Sequence, residues 1–325
     1  MPGMIRPMSV VVVAVATSLL VFATPAHATH VQCGDTITQS TKLDSDVVCP
    51  AEASRGVVIG ADNVTLKLAG HTIRNTSGDG TGIWAIPDEG EYSNVHIRGG
   101  TIEGFGSAVR MVASDSSVRR LTTSGDDVQI LTNGNRNVVS RNDVTEIGGG
   151  SLGLYIIGAD AHVRGNTIRG ASVGINNFGE RARYVLNTIE HCSGPNGIGI
   201  NIGAYTTNVV VNRNVVSGCY WGIIATAFSE TGAAVLRFNQ TNGNTEFGLL
   251  INDANAIVGR NTANNNGHTG IRSNLAGTRI QRNVANGNGS YGIFAAPGTV
   301  DGGGNTAMGN GDGTNPQCVN VQCAP

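Results

Sequence analysis

Asp126 and Asp127 are adjacent carboxylates in the segment SGDDVQI, and their type and spacing suggest chemistry more directly than any other residues do. Two carboxylates that flank a glycosidic bond can act as general acid and general base. Arg110 can clamp a uronate carboxylate, or it can act as the base of a β-elimination. Asp126, Asp127 and Arg110 are therefore the candidate catalytic residues of a polysaccharide hydrolase or lyase.

A structural role is the alternative for this dipeptide. Adjacent residues on a strand point to opposite faces, so a bend is needed to aim both carboxylates at one ligand. In a turn, Asp126 would instead accept hydrogen bonds from backbone N–H groups. The sequence therefore leaves open whether the protein is an enzyme.

The candidate binding residues follow from a repeated Gly-Ile or Gly-Leu pair. The apolar member of each pair points into the core, so Ile83 is inward and the next residue is outward. The outward residues expected to bind substrate are Trp84, Gln129, Tyr155 and Asn176. Aromatic rings can stack on sugar faces and Arg110 can pair with uronates, so this strip predicts a saccharide-binding surface.

Regularly spaced asparagines indicate the elements that position these residues. Each opens a short segment of one type, and together they are Asn142, Asn166, Asn187, Asn214, Asn239, Asn261, Asn283 and Asn305. The last four are 22 residues apart. A period of this length, with short apolar runs and Gly/Asn turns, marks a solenoid with one coil per repeat. Equivalent residues of stacked coils lie about 4.8 Å apart, so the amides can hydrogen-bond in a column.

A second column supports the register of the coils. Ala108-Val109 and Asp127-Val128 fill its gaps, and its other members are Gly82-Ile83, Gly153-Leu154, Gly174-Ile175, Gly199-Ile200, Gly222-Ile223, Gly248-Leu249, Gly270-Ile271 and Gly292-Ile293. β-Branched residues with period-2 alternation predict strands, and the glycines between them exclude long helices. The prediction is an all-β solenoid of about eleven coils. It forms one domain over residues 29–325, with an N-terminal cap (29–62), coils (63–310) and a C-terminal tail (311–325).

Composition and the N-terminus limit the partners and the compartment. The formal net charge is −2 and 14% of residues are charged, which excludes charge-driven binding of nucleic acid. Residues 1–28 combine a positive start, an apolar run and a small-x-small end, the pattern of a signal peptide cleaved after Ala28. We therefore expect a secreted, extracellular monomer without membrane contact once the signal is removed; a signal anchor is the alternative.

Six cysteines in an exported chain predict disulfides. Cys192 follows Asn187 at the same distance as Cys219 follows Asn214, so the two cysteines share a column on adjacent coils. The coil spacing suits a disulfide. The expected pairs are Cys33–Cys49, Cys192–Cys219 and Cys318–Cys323. No Cys/His cluster suggests a metal site.

The repeated N-x-[IVA] and G-[IL] columns also carry a resemblance to known proteins. Together with CGDTITQSTKLDSDVVCP and the following GVVIGADNVTLKLAGHTI, they resemble the pectin-lyase-like superfamily of right-handed parallel β-helix proteins. The resemblance is strongest to secreted bacterial repeat proteins of the NosD/CASH type. It implies a right-handed parallel β-helix whose Gly-Ile sheet forms the floor of a saccharide groove. Because the superfamily includes lyases, hydrolases, epimerases, adhesins and accessory proteins, it does not fix an activity.

The resemblance bears on the catalytic candidates as well. Asp126-Asp127 resembles the Asp-Asp segment of polygalacturonase-type glycosidases, although Asn196 stands where their next motif carries histidine. A pectate-lyase-like reaction would instead use calcium held by carboxylates, and no other cofactor is expected.

Two functions and one further surface follow. We expect a secreted protein that binds, and as an enzyme cleaves, an acidic polysaccharide; the alternative is a non-catalytic surface or envelope scaffold or an adhesion protein. Arginines also stand just before the asparagine column, where they hold an acidic polymer, pair with nearby acids or cover the turn with their alkyl stems. They are Arg120, Arg141, Arg213, Arg260 and Arg282.

Overall fold

The computed structural model describes residues 28–76, 78–146, 150–204, 206–226, 233–314 and 316–325. Within these ranges the chain is a parallel β-solenoid of about 12 turns and contains no helix. This confirms the all-β solenoid prediction, which counted about eleven coils. No helix that is long and apolar enough to cross a membrane occurs among these residues. Residues 1–27 of the predicted signal peptide lie outside the described residues, while Ala28 pairs with Lys42.

Most coils contribute one strand to each of three faces, but the coils of Asn261 and Asn283 have only single bridge residues, Thr262 and Val284, on the second face. We number the faces relative to the corner that the asparagine column occupies. Face 1 precedes that corner and contains Ala28–Thr29, Thr41–Leu43, Thr65–Lys67, Val138–Ser140, His162–Arg164, Arg183–Val185, Val210–Asn212, Val235–Arg237, Ile257–Gly259, Arg279–Gln281 and Val300–Asp301. Face 2 follows it and contains Val47–Val48, Thr72–Arg74, Asp143–Glu146, Thr167–Arg169, Thr188–Glu190, Val215–Ser217, Gln240–Thr241, Asn305–Thr306 and Cys323–Ala324. His96–Glu103 and Ser117–Gly125 run through the corner and belong to both faces.

Face 3 is a separate 14-stranded sheet and carries the Gly-Ile column. Its strands are Thr36–Ile37, Arg55–Ile59, Thr81–Ala85, Ser107–Ser114, Val128–Asn133, Leu152–Ile157, Val173–Asn177, Ile198–Ile202, Trp221–Thr226, Phe247–Asn252, Thr269–Ser273, Ile293–Ala295 and Cys318–Val319, with Tyr92–Ser93 paired to the end of Ser107–Ser114. All strand pairs of the solenoid are parallel, so side chains at one position of successive coils lie in columns.

The asparagine column is confirmed as a hydrogen-bonded ladder at the corner between faces 1 and 2. Asn187 donates from Nδ2 to the carbonyl of Val163 and to Oδ1 of Asn214, both at 3.0 Å. Its own Oδ1 accepts from the backbone N–H and Nδ2 of Asn166. The pattern repeats from Asn142 to Asn305, so buried amides satisfy the corner backbone where strands cannot.

The glycines of face 3 permit the coils to stack closely. A Cβ on Gly174 would lie 2.6 Å from the carbonyl oxygen of Gly199, and one on Gly199 would lie 2.5 Å from that of Gly222. The residue after each glycine is aliphatic and buried, so Ile175, for example, is fully covered by the coils above and below. Each coil thus needs a residue without a side chain at the close contact and a large apolar residue next to it, which explains the Gly-Ile repeat.

Three disulfides connect neighbouring parts of the stack, in the predicted pairs. They are Cys33–Cys49, Cys192–Cys219 and Cys318–Cys323, with Cα separations of 5.2, 4.5 and 6.1 Å. They indicate an oxidising, extracytoplasmic environment. The segment predicted as a cap pairs in the same parallel columns as the coils, since Thr36–Ile37 pairs with face 3 and Thr41–Leu43 with face 1.

Candidate functional site

The two adjacent carboxylates lie in a bend between faces 2 and 3. Strand Ser117–Gly125 ends just before them and strand Val128–Asn133 begins just after them. Both side chains are exposed. The backbone N–H of Asp127 donates to the carbonyl of Gly106 on the preceding coil at 3.0 Å, which fixes the bend. The bend that both carboxylates would need is therefore present.

Asp127 and Arg110 are brought together, whereas Asp126 stands apart. Nη2 of Arg110 lies 2.6 Å from Oδ2 of Asp127, and Nε donates to the hydroxyl of Ser107 at 3.1 Å. That hydroxyl donates in turn to the same Asp127 oxygen at 3.2 Å. Among the described residues, Asp126 has no ion pair. The network orients Arg110 along face 3, and because both partners are partly exposed it adds at most about 1 kcal/mol to stability.

Gln129 does not point outward, so its predicted place in the binding strip is wrong. It is fully buried, and its Nε2 donates to the carbonyl of Gly106 at 3.0 Å. The register pairs Val109 with Ile130, so Gln129 takes the glycine position of this coil. The outward residue here is Leu131, which pairs with Arg110 on one side and Tyr155 on the other.

One continuous outward column therefore runs along the centre of face 3, from the second coil to the last. Its members are Val58, Trp84, Arg110, Leu131, Tyr155, Asn176, Asn201, Ile224, Leu250, Arg272, Phe294 and Val319. Trp84, Tyr155 and Asn176 are where the sequence placed them. Leu131 and Asn201 were not predicted as members of this column. For Leu131 a signal was available, because Ile130 and Leu154 are each followed four residues later by a glycine, which indicates a common register.

An aromatic residue and an arginine are neighbours near each end of this column, Trp84 with Arg110 and Arg272 with Phe294. The guanidinium of Arg55 stacks 4.2 Å from the centre of the Trp84 ring. Tyr155 packs edge-on against Phe178, whose ring is 46% exposed. At the other end Arg272 lies 5.5 Å from the Phe294 ring.

Polar contacts fix the middle of the column. Nδ2 of Asn201 donates to Oδ1 of Asn176 at 2.9 Å, which orients both amides across neighbouring coils. In the described part of the chain, no three His, Cys, Asp or Glu side chains are grouped so that they could hold a metal ion. Face 3 thus presents orientated rings, amides and one arginine held by Asp127.

This fold is similar to that of known proteins. A family profile described as right handed beta helix region matches the chain. The match covers residues 152–310. The solenoid is therefore a right-handed β-helix over that stretch, as the superfamily resemblance implied. No curated protein sequence matches the chain.

Solved β-helix structures are similar in fold. The tailspike protein of E. coli bacteriophage HK620 in complex with a pentasaccharide superposes with a TM-score of 0.60 at 15% identity, covering 84% of this chain. The protein spans 60% of the length of that tailspike chain. The periplasmic alginate epimerase AlgG superposes with a TM-score of 0.56 at 12% identity, covering 89% of this chain and 76% of the epimerase. At these identities the similarity is one of fold.

Proposed function

We propose that this protein is a secreted, extracellular β-helix protein that binds an extended polysaccharide along the central column of face 3. The observation that carries the proposal is the alignment of Trp84, Arg110 and Tyr155 on nearby coils of one column. Coil spacing places successive members about 4.8 Å apart along the helix axis. A row of orientated groups parallel to that axis suits a linear polymer better than a compact ligand.

The groups in this row have the chemistry of a saccharide site. The half-buried ring of Trp84, and the exposed ring of Phe178 beside the row, offer apolar surfaces for sugar rings, while Asn176 and Asn201 supply amide donors and acceptors. Arg110 can pair with a uronate carboxylate, and its bonds to Ser107 and Asp127 hold it ready for that contact. Pre-ordered side chains lose less conformational entropy on binding.

The similar structures support this use of the fold. One was solved with a pentasaccharide and the other is named as an alginate epimerase, so both concern saccharides. Membership of the pectin-lyase-like superfamily would be consistent with the same use. The proposal rests on the residues of face 3, because similarity of fold alone leaves the ligand open.

Binding is tested on the chain from residue 29, with calorimetry against polygalacturonate, alginate and a neutral glucan. Trp84→Ala and Tyr155→Ala should each weaken binding about 5- to 10-fold, which corresponds to about 1 to 1.4 kcal/mol. Met308→Ala removes an exposed apolar side chain outside face 3 and should leave affinity unchanged. Equal losses in all three variants, or no glycan bound by a folded protein, would favour the scaffold or adhesion function instead.

Cleavage is tested separately, because binding does not require it. The same polysaccharides are incubated with calcium or with chelator, and both unsaturated products and new reducing ends are measured. Products that disappear in Asp126→Ala/Asp127→Ala would assign catalysis to the bend and distinguish lyase from hydrolase. If no products form with a polymer that binds, the protein is a non-catalytic glycan-binding protein.

A further inference from the structure

A second surface, unconnected with face 3, carries about half of the positive charge of the molecule. It lies at the asparagine corner and consists of two adjacent columns, which we call the basic corner. The first column stands just before the corner on face 1. It contains Lys42, Lys67, Arg98, Arg119, Ser140 and Arg164, and on later coils Val185, Asn212, Arg237, Gly259 and Gln281. The second contains the arginines that stand just before the ladder, Arg120, Arg141, Arg213, Arg260 and Arg282.

Backbone geometry does not explain the arginines of the second column. All of them have left-handed backbone, for example φ 53° at Arg120 and 58° at Arg141. This conformation costs a side-chain-bearing residue about 1–2 kcal/mol, and glycine avoids the cost. Other coils have Gly99 and Gly165 at this position, and two coils have Leu186 and Phe238. Arginine is thus present at a position where the fold itself favours glycine.

The side chains of the two columns enclose recesses at the surface. One recess of about 140 Å³ is lined by Ser140 and five arginines: Arg98, Arg119, Arg120, Arg141 and Arg164. It adjoins a second of about 290 Å³, which shares Arg98 and Arg119 with it and adds His96. Further along the same corner, Arg237, Arg260 and Arg282 line a recess of about 120 Å³. The corner therefore offers grooves and not only single exposed charges.

No counter-charge within the described chain neutralises this corner. None of the five arginines of the 140 Å³ recess has a described carboxylate within the 4.0 Å that defines an ion pair. The nearest face-2 acid in sequence, Asp143, is paired with Arg169 at 2.8 Å. The corner between faces 3 and 1 is different, because Arg136 pairs with Asp115 and Arg181 with Asp160. The idea that the ladder arginines pair with nearby acids is therefore not supported.

His96 lies at the edge of the grooves, and the positive charges there affect the pKa of its imidazole. Burial lowers the pKa of this imidazole from its ordinary value of 6.5, and the positive charges of Arg119 and Arg98 lower it further. Its Nδ1 lies 2.9 Å from the hydroxyl of Ser117. The ring thus reports on the local potential.

We propose that the basic corner is a second binding site, which holds an acidic polysaccharide through its sulfate or carboxylate groups. Guanidinium groups bind such oxyanions through paired N–H donors, and here they recur along the helix axis as the charges of a linear polyanion do. Like charges on neighbouring coils repel, and a bound polyanion relieves that repulsion. An extracytoplasmic protein with three disulfides meets acidic glycans more readily than nucleic acid. This site is independent of the glycan site proposed for face 3.

Binding of dextran sulfate is measured at low and high salt, with uncharged dextran as the reference. Arg119→Gln/Arg164→Gln should weaken binding of dextran sulfate at least tenfold at low salt and flatten its dependence on salt. The matched control, Arg136→Gln/Arg181→Gln, removes the same charge from the other corner and should retain affinity. Trp84→Ala/Tyr155→Ala should also retain it, which separates this site from face 3.

A structural readout accompanies the affinities. The pKa of His96, followed by NMR, should rise when dextran sulfate is added, because the polymer neutralises Arg98 and Arg119, which together with Ser117 and Thr65 surround the ring. Equal affinity of the two double-arginine variants, or an unchanged His96 pKa at saturation, would overturn the proposal. Inorganic sulfate binding as tightly as the polymer would reassign the site to a free anion, and single-stranded DNA binding more tightly would reassign it to nucleic acid.

Discussion

At the scale of single residues, buried polar side chains form the hydrogen bonds that strands cannot form at the corners. Asn187 makes four side-chain hydrogen bonds with Val163, Asn166 and Asn214, and none of its polar atoms faces water. Removing the Asn187 side chain would leave its buried hydrogen-bond partners unsatisfied, because water cannot reach them. Each unsatisfied group costs about 1–3 kcal/mol of stability.

Asn187→Ala is expected to lower the free energy of unfolding by about 2–4 kcal/mol, measured by urea denaturation. Asn305, at the end of the ladder, has an Nδ2 without a partner among the described residues. Asn305→Ala should therefore cost less. Equal losses at the two positions would mean that the ladder bonds do not carry the stability assigned to them.

Tyr184 is a second buried polar residue, and it makes stability sensitive to alkaline pH. Its hydroxyl donates to Oδ1 of Asn177, and burial raises the pKa of its phenol well above the ordinary value of 10.0. The unfolded chain loses this proton near pH 10 while the folded chain keeps it. Its contribution is therefore complete below pH 10 and is lost as the pH rises further.

Tyr184→Phe should cost about 1 kcal/mol at neutral pH, since one hydrogen bond is lost. It should also reduce the fall of Tm between pH 9 and pH 11. Tyr155→Phe, on the outward column, serves as the control and should keep the wild-type pH profile. The same alkaline fall in Tyr184→Phe as in wild type would place the responsible group elsewhere.

At the scale of elements, the strands of face 3 are held at stacking distance by glycine. Gly174 faces the backbone of the next coil, whereas Gly259 on face 1 faces Gln281, with the nearest atom 3.3 Å from a built Cβ. A methyl group on Gly174 would have to displace backbone, while one on Gly259 would have to displace a flexible side chain.

Gly174→Ala is therefore expected to destabilise the protein by about 2–3 kcal/mol, and Gly259→Ala by less than about 1 kcal/mol. Urea unfolding gives both values, and hydrogen exchange shows whether amides of the adjoining coils lose protection. If the two variants prove equally stable, close stacking of face 3 is not the reason for its glycines.

At the scale of the whole molecule, a nearly neutral chain separates its charges among its edges. The net charge is −2, yet the arginines of the basic corner form no ion pair with a described carboxylate, while Arg136 and Arg181 at the other corner are paired with Asp115 and Asp160. Cys192 and Cys219 are 27 residues apart, which is about one coil, so their disulfide joins neighbouring coils in the middle of the stack. Stability and binding are thus distributed along the length of the solenoid.

Cys192→Ala/Cys219→Ala is expected to lower the free energy of unfolding by about 3–4 kcal/mol, because the bond closes a loop of one full coil. Cys318→Ala/Cys323→Ala opens a much shorter loop at the end of the stack and should cost about 2 kcal/mol or less. Thermal unfolding with and without reductant checks both values. A larger effect of the terminal pair would contradict the loop-length argument.

The sequence by itself determined the solenoid, the asparagine ladder, the Gly-Ile column and the disulfide pairs, because a repeat places equivalent residues in columns whatever surrounds them. It failed where coil length varies. The Asp126-Asp127 bend shifts the next strand by two residues, so Gln129 turned inward and Leu131 took its place.

Only the tertiary structure decided which side chains meet across coils of unequal length. Two examples are the contact of Asp127 with Arg110 and the hydrogen bond of Tyr184 to Asn177. A third is the basic corner, where two cationic columns meet. In each case the residues lie about a coil apart or in different columns. Such contacts depend on turn geometry and on register, and neither is encoded in local periodicity. The ladder arginines were visible in the sequence, but their lack of acidic partners among the described residues was not.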